Sequence, residues 1–114
     1  MPPLVDSELR RAYLAALSRW SITGYVNFLE RPAAWVHESL GMSPRYVAEL
    51  MYKFVNDGGT INQVVERRPE YTEQDFHYDL LVRIHGRLIY IETLLDARRP
   101  DDEVITVVSI HDAR

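Results

Sequence analysis

The sequence contains no cysteine, so the chain can form neither a disulfide framework nor a zinc site built from thiolates. It has no apolar run near the roughly 20 residues that cross a bilayer. Its first residues also lack the basic region and long apolar stretch of a secretory signal. Glycine and proline are few, at 5 and 6 among 114 residues, and they mark no repeat or low-complexity tract. These absences predict a soluble, cytoplasmic protein with no membrane partner.

Positive charge is also in short supply, and it is unevenly placed. The formal net charge is −4. Residues 1–60 hold six basic and six acidic side chains, whereas residues 61–114 hold seven basic and eleven acidic ones. Proteins that clamp several phosphates usually carry a basic surplus, so this balance counts against a broad nucleic-acid surface. All but one of the 13 basic residues are arginines, whose planar guanidinium suits phosphate or carboxylate, so one local arginine-lined site stays open.

Apolar residues make up 46% of the chain, enough for one core, which predicts a single domain over residues 1–114. Its first part, residues 1–58, is predicted to be helical. Ser43 and Pro44 have the residue types of a helix cap and first turn, and an apolar stripe follows them. The predicted helices are 6–20, a short one opened by Pro32 and ended by Gly41, and 44–57, with a short helix or turn over 21–30.

The second part, residues 59–114, is predicted to be a β-meander because apolar and polar residues alternate there. The predicted strands are 60–68, 76–84, 87–95 and 104–111, with loops at 73–75 and 96–103. His85 and Gly86 form a two-residue turn. The expected fold class is therefore α+β, with N-terminal helices packed on one face of a four-stranded, mainly antiparallel sheet.

The turn at His85 and Gly86 sets the register of the hairpin, since Ile84 must then face Arg87. One face of the hairpin is apolar, and we expect it to form the core together with the helices. The expected core residues of helices and hairpin are Trp35, Val47, Leu50, Met51, Phe54, Leu80, Val82, Ile89 and Ile91. The other face is mixed and polar: His77, Asp79, Leu81, Arg83, Leu88, Tyr90 and Glu92.

Asp79 directly opposite Glu92 is the unusual pair, because like charges across a ladder destabilise it unless something neutralises them. The neutraliser could be Arg83 or Arg68, a shared proton, a metal ion or solvent. A solvated face whose carboxylates are screened by neighbouring arginines is the simplest of these. A metal ion is an alternative, held by His77, Asp79, Glu92 and His111, a set that suits Zn²⁺, Mn²⁺ or Fe²⁺. The third alternative is an active site without metal. We expect no cofactor, because no spaced metal motif such as His-Glu-x-x-His is present.

If the polar face is an active site, its side chains can be assigned catalytic roles. His77 or His111 would serve as general acid or base, and Arg83 or Arg68 would stabilise developing negative charge. The candidate catalytic residues are His77, Arg83, Tyr90, Glu92 and His111, and the candidate substrate-binding residues are Glu66, Arg68 and Asp79. The pattern leaves open which face of the sheet His111 occupies.

Two segments carry a resemblance to a known family: "GRLIYIE" at 86–92 and "VITVVSIH" at 104–111. With the preceding helices, the run 76–111 resembles the sheet half of small bacterial toxins of the RelE/MqsR kind, which have the barnase–colicin ribonuclease-like fold. The resemblance implies metal-free cleavage of RNA by attack of a ribose 2′-hydroxyl, and an antitoxin as protein partner. Glu92 stands where such toxins tend to carry a lysine, which leaves an inactive relative as a variant of this hypothesis.

A second hypothesis is a non-catalytic binding module. An antiparallel sheet with an open face and a free edge invites association with a partner, including a second copy of the chain. Leu81 and Leu88, apolar among polar neighbours, suit the rim of such an interface. The arrangement of four side chains distinguishes the two hypotheses: His77, Arg83, Tyr90 and Glu92. If they converge in one concave pocket, the enzyme is favoured; if they are spread along a flat face, the binding module is favoured.

Overall fold

The computed structural model describes residues 1–99 and 102–113, and the side chains of all of these except 98 and 99. The helices are α1 (Ser7–Ser18), α2 (Glu30–Trp35), which continues into a π-helical turn (Val36–Leu40), and α3 (Pro44–Asn56). The strands are β1 (Val26–Phe28), β2 (Asn62–Val65), β3 (Phe76–Ile84), β4 (Arg87–Arg99) and β5 (Asp102–Asp112), with a 3₁₀ turn at Pro69–Tyr71. The α+β class is confirmed.

The two main helices begin where the sequence predicted. The Asp6 carboxylate accepts the backbone N–H groups of Glu8 and Leu9 at 2.9 and 3.0 Å, which caps α1. Ser43 accepts the N–H of Tyr46 at 3.2 Å and caps α3. The longest described helix, α3, has 13 residues, and none of the described helices has both the length and the apolarity to cross a membrane.

Within the described residues, the sheet has five strands in the order β1-β5-β4-β3-β2, and it is mixed. The prediction of four mainly antiparallel strands is therefore wrong in number, although β2 to β5 do form an antiparallel meander. The missed strand is β1, which lies within the predicted helix or turn over 21–30 and pairs parallel to β5, with Val26 opposite Ile105. Three residues are too few to show an alternating pattern, and only the partner strand makes this segment extended.

The predicted loop over 96–103 is also wrong, because β4 continues to Arg99 and β5 begins at Asp102. Asp96 pairs with Val104, and Ala97 pairs with Glu103. Backbone hydrogen bonds make this ladder, so a polar sequence at the end of a long hairpin does not interrupt it. Residues 100 and 101 of the predicted loop lie outside the described residues.

The β3–β4 hairpin has the predicted register throughout, from Ile84 opposite Arg87 to Asp79 opposite Glu92. His85 and Gly86 both have positive φ, at 52° and 75°, as a two-residue turn of the I′ kind requires. The register places the predicted core residues of both strands, Leu80, Val82, Ile89 and Ile91, on the inner face of the sheet, toward the helices. The mixed, polar set from His77 to Glu92 lies on the opposite side, which we call the outer face.

The core lies between the inner face and the helices. Of the predicted core residues, Val47, Met51, Leu80, Val82, Ile89 and Ile91 are buried, whereas Trp35, Leu50 and Phe54 are partly buried at its margin. Tyr13 is fully buried, and its hydroxyl lies 2.9 Å from Thr93 Oγ1, which donates to the Tyr78 carbonyl at 2.6 Å. Burial raises the pKa of Tyr13 far above its usual value, so this buried network stays uncharged.

Candidate functional site

Asp79 is the centre of the outer face. Although it is a carboxylate in the middle of a strand, it is completely buried, with 0% of its surface exposed. His77 Nδ1 lies 2.7 Å from one of its oxygens, and the Tyr90 hydroxyl donates to the other at 2.6 Å. An ionised carboxylate only accepts hydrogen bonds, so the His77 Nδ1 carries a proton and leaves Nε2 as the nitrogen with a free lone pair.

Glu92 is neutralised by an arginine, as one of the sequence alternatives proposed. Arg68 Nη2 donates both to Glu92 and to Glu66, the latter at 2.6 Å, and Arg68 Nε donates to Glu66 at 3.0 Å. The guanidinium also lies over the Tyr71 ring, 4.8 Å from its centroid. The hydrogen bond to Glu66 is the main cause that raises the pKa of Arg68, so the guanidinium stays charged.

Glu66 explains how Arg68 reaches the outer face. The strand predicted over 60–68 ends at Val65, because the Glu66 carboxylate accepts the N–H groups of Arg67 and Arg68 at 3.0 and 3.1 Å and turns the chain away. The connection between β2 and β3 then folds back over the outer face. The hydrogen bond from Arg68 lowers the pKa of Glu66 to about 2, so Glu66 is a carboxylate at neutral pH.

Tyr90 links Asp79 to the last strand. Burial, followed by the hydrogen bond to Asp79, raises the pKa of Tyr90 far above its usual value, so it acts as a neutral donor. His111, opposite Tyr90 on β5, stacks on its ring with centroids 4.9 Å apart. This places His111 on the outer face and resolves the question that the sequence left open. His111 Nδ1 lies 2.8 Å from the Asp112 carbonyl, which can only accept, so that nitrogen is protonated.

A β-bulge lies beside these residues. Glu92 pairs with Ser109 and Thr93 pairs with Val107, which leaves Val108 as an extra residue on β5. Bulges concentrate next to active sites because they redirect side chains. Nothing in the alternating sequence pattern of β5 indicated it.

The structure brings together all of the predicted site residues except Arg83. We call the assembled set the outer-face cluster: Glu66, Arg68, His77, Asp79, Tyr90, Glu92 and His111. Arg83 is exposed further along β3, where its Nη1 donates to the Gly86 carbonyl at 3.3 Å, and it takes no part in the cluster. Tyr71, which supports Arg68, was missed, since it lies in an irregular connection without periodicity.

The charges of the outer-face cluster do not balance. Glu66, Asp79 and Glu92 face one permanent cation, Arg68, which contacts the two glutamates and not Asp79. Among the described side chains, the polar contacts of Asp79 are His77 and Tyr90. The solvated pair favoured by the sequence pattern is therefore wrong for Asp79, because its carboxylate is removed from water and its partners among the described side chains are an imidazole and a phenol hydroxyl.

The predicted four-residue metal set becomes a three-residue set. Three potential ligand atoms lie within 4.8 Å of one another, one each from His77, Asp79 and Glu92. His111 is not part of this group. One imidazole and two carboxylates are suitable ligands for Zn²⁺, Mn²⁺ or Fe²⁺.

A cavity of about 400 Å³ lies where the β2–β3 connection crosses the outer face, and its lining includes Tyr71 but no residue of the outer-face cluster. Its floor is apolar, from Leu94 and Val108, and Tyr71 and Gln74 form part of its wall. Gln74 donates a hydrogen bond to Asp96, which ties the connection to β4. Its volume is within the range of small-ligand sites.

The chain matches no protein-family model, and comparison with curated proteins and with solved structures found no match either.

Proposed function

We propose that the outer-face cluster is a general acid–base site and that the chain is a small ribonuclease that needs no metal ion. The observation that carries this proposal is the buried Asp79 carboxylate, which holds His77 in a single tautomer. A buried carboxylate against Nδ1 of a histidine is the arrangement by which enzymes orient an imidazole for proton transfer. The resemblance of residues 76–111 to RelE/MqsR-like toxins supports the same reaction.

His77 is the proposed base. Its Nδ1–H is bound to Asp79, so Nε2 accepts the proton of a ribose 2′-hydroxyl, and the resulting oxygen attacks the adjacent phosphorus. The imidazolium that forms is stabilised by the Asp79 carboxylate. Tyr90 fixes that carboxylate from the other side, so the base cannot rotate freely.

His111 is the proposed acid. It is exposed on the outer face, across the Tyr90 ring from Asp79 and His77, and its Nδ1 is bound to the Asp112 carbonyl. In its protonated form, Nε2 gives a proton to the 5′ oxygen that leaves when the phosphorus–oxygen bond breaks. The proton taken by His77 and the proton given by His111 balance the reaction, and the product is a cyclic phosphate.

Arg68 is the one permanent cation of the cluster, and we assign it the contact with the phosphate. Its Nη2 and Nε atoms serve Glu66 and Glu92, whereas Nη1 has no hydrogen-bond partner among the described residues. The surrounding carboxylates repel RNA, so we expect weak binding whose affinity falls only slightly with salt, as few phosphates are neutralised.

The test is incubation of the purified protein with total RNA in EDTA. We expect cleavage by the wild type, a loss of about 10²- to 10⁴-fold in rate for His77→Gln and for His111→Gln, and no change for His85→Asn. His85 is an exposed histidine at positive φ, where asparagine is tolerated, so this control removes an imidazole without strain. Equal rates in all four proteins, or no cleavage by any, would contradict the proposal.

A binding module is the second candidate, and the edge of β3 favours it. Among the described residues, β2 pairs with β3 only between Phe76 and Asp79, so residues 80–84 have no strand partner on that side. Leu88 is exposed on the outer face, and Leu81 beside it is partly buried. A protein that leaves RNA intact in the same experiment and sediments as a dimer would support self-association at this edge.

A further inference from the structure

We propose that His77, Asp79 and Glu92 bind one divalent transition-metal ion, and that this ion inhibits the acid–base site. The binding stands on the geometry and the buried charge of these three residues, whereas the inhibition rests on the proposed function.

The three ligand atoms are already close. His77 Nδ1 and Asp79 Oδ1 are 2.7 Å apart, and the full set lies within 4.8 Å. A tetrahedral Zn²⁺ ion with bonds of about 2 Å needs ligand atoms roughly 3.3 Å apart. His77 Nδ1 and Asp79 Oδ1 would therefore move apart by roughly 0.6 Å, and the widest separation in the set would shorten by no more than roughly 1.5 Å. Rotations about the terminal bonds of these side chains provide shifts of this size.

The buried charge supplies the reason for binding. Asp79 is 0% exposed and Glu92 is 9% exposed. Buried carboxylates are normally paired with a cation or coordinate a metal. Arg68 pairs with Glu92, but no arginine or lysine among the described side chains contacts Asp79. An added cation beside Asp79 supplies that missing positive charge.

The ligand types decide which ion fits. Glu92 uses one oxygen for Arg68, and its other oxygen has only a long contact with the Tyr90 hydroxyl, at 3.4 Å. That second oxygen can turn to a metal without breaking the ion pair. Because the set includes an imidazole nitrogen, it suits Zn²⁺ better than Mg²⁺ or Ca²⁺, which prefer oxygen ligands throughout.

Inhibition follows because the metal ion and the hydrogen bond to Asp79 both need the same atom, His77 Nδ1. The ion binds His77 Nδ1, and the proton of that nitrogen moves through solvent to Nε2, so the imidazole stays neutral. The hydrogen bond that orients the base is lost, and Nε2 no longer has a lone pair to accept the 2′-hydroxyl proton. The Asp79 oxygen that accepted this bond then binds the ion instead. Under the proposed function, a protein loaded with Zn²⁺ cannot use His77 as an oriented base.

The experiment is a titration of EDTA-treated, desalted protein with ZnCl₂ by isothermal calorimetry, in the absence of RNA. We expect one ion per chain for the wild type and for His85→Asn, and binding at least about tenfold weaker for Glu92→Gln and for His77→Gln. Circular dichroism checks that each variant is folded. Binding by these two variants equal to the wild type, or no binding by the wild type, would overturn the site.

A second measurement separates the two proposals. RNA cleavage by the wild type should fall in proportion to the fraction of chains that hold Zn²⁺, and EDTA should restore it. Undiminished cleavage by the saturated protein would overturn inhibition. If no preparation cleaves RNA while the calorimetric pattern holds, the ribonuclease proposal fails and the metal site stands.

Discussion

At the scale of single residues, the members of the outer-face cluster that lie on the β3–β4 hairpin could be placed from the sequence, whereas those in the connection after β2 could not. Asp79 and Glu92 could be placed opposite each other from the sequence, because a two-residue turn fixes every later pair. Arg68 could be named as a neutraliser but not placed, since it follows the point where Glu66 turns the chain out of the sheet. The burial of Asp79 could not be predicted, because it depends on what covers the face and not on alternation.

Tyr90→Phe tests whether the Asp79 carboxylate depends on its neighbours. The change removes the hydroxyl that donates to one Asp79 oxygen at 2.6 Å and leaves that buried oxygen without a partner. We expect a loss of about 1–3 kcal/mol in the free energy of unfolding. Urea denaturation in EDTA measures it. Tyr46→Phe, at a tyrosine that is 46% exposed, is the control and should change stability little. Equal losses in the two variants would show that the hydrogen bond does not stabilise the fold.

At the scale of elements, long regular segments were predictable and short or polar ones were not. Strand β3 and helix α3 match their predicted limits closely, because each has both a periodic apolar face and clear end signals. Strand β1 has only three residues, and the polar ends of β4 and β5 carry no alternating apolar signal. All three segments are held in the sheet by backbone hydrogen bonds to a neighbouring strand, and such bonds do not depend on a particular pattern of side chains.

Two truncations test whether the strand residue Ile91 is more deeply buried than the helix residue Leu50. Ile91 is fully buried on β4, between β3 and β5, so Ile91→Ala should cost about 2–5 kcal/mol in the free energy of unfolding. Leu50, expected in the core from its helical spacing, lies partly buried at the margin of α3. Leu50→Ala should therefore cost less, below about 2 kcal/mol. Chemical denaturation of both variants measures the difference, and a larger loss at Leu50 would contradict this description of the core.

At the scale of the whole molecule, the fold places the apolar core and the candidate chemistry on opposite faces of one sheet. The helices cover the inner face of the sheet, and the polar residues collect on the outer face. Composition predicted an acidic second half, but only the folded chain shows that Glu66, Asp79 and Glu92 meet around one arginine. The pairing of these charges makes the stability of the whole chain depend on pH.

Acid should destabilise the wild type more than a variant that lacks the Arg68 guanidinium. The hydrogen bond from Arg68 lowers the pKa of Glu66 from 4.5 to about 2 in the folded chain. A lowered pKa stabilises the fold above the unfolded value, so this contribution is complete above about pH 5 and is lost as the pH falls toward 2. Urea denaturation at pH 6 and at pH 3, in EDTA, should show a smaller loss of stability on acidification for Arg68→Gln than for the wild type. Arg67→Gln removes the same charge from the adjacent exposed residue and should behave like the wild type. If all three proteins lose the same stability between these pH values, Arg68 does not hold Glu66 ionised, and the charge network around Glu92 is wrong.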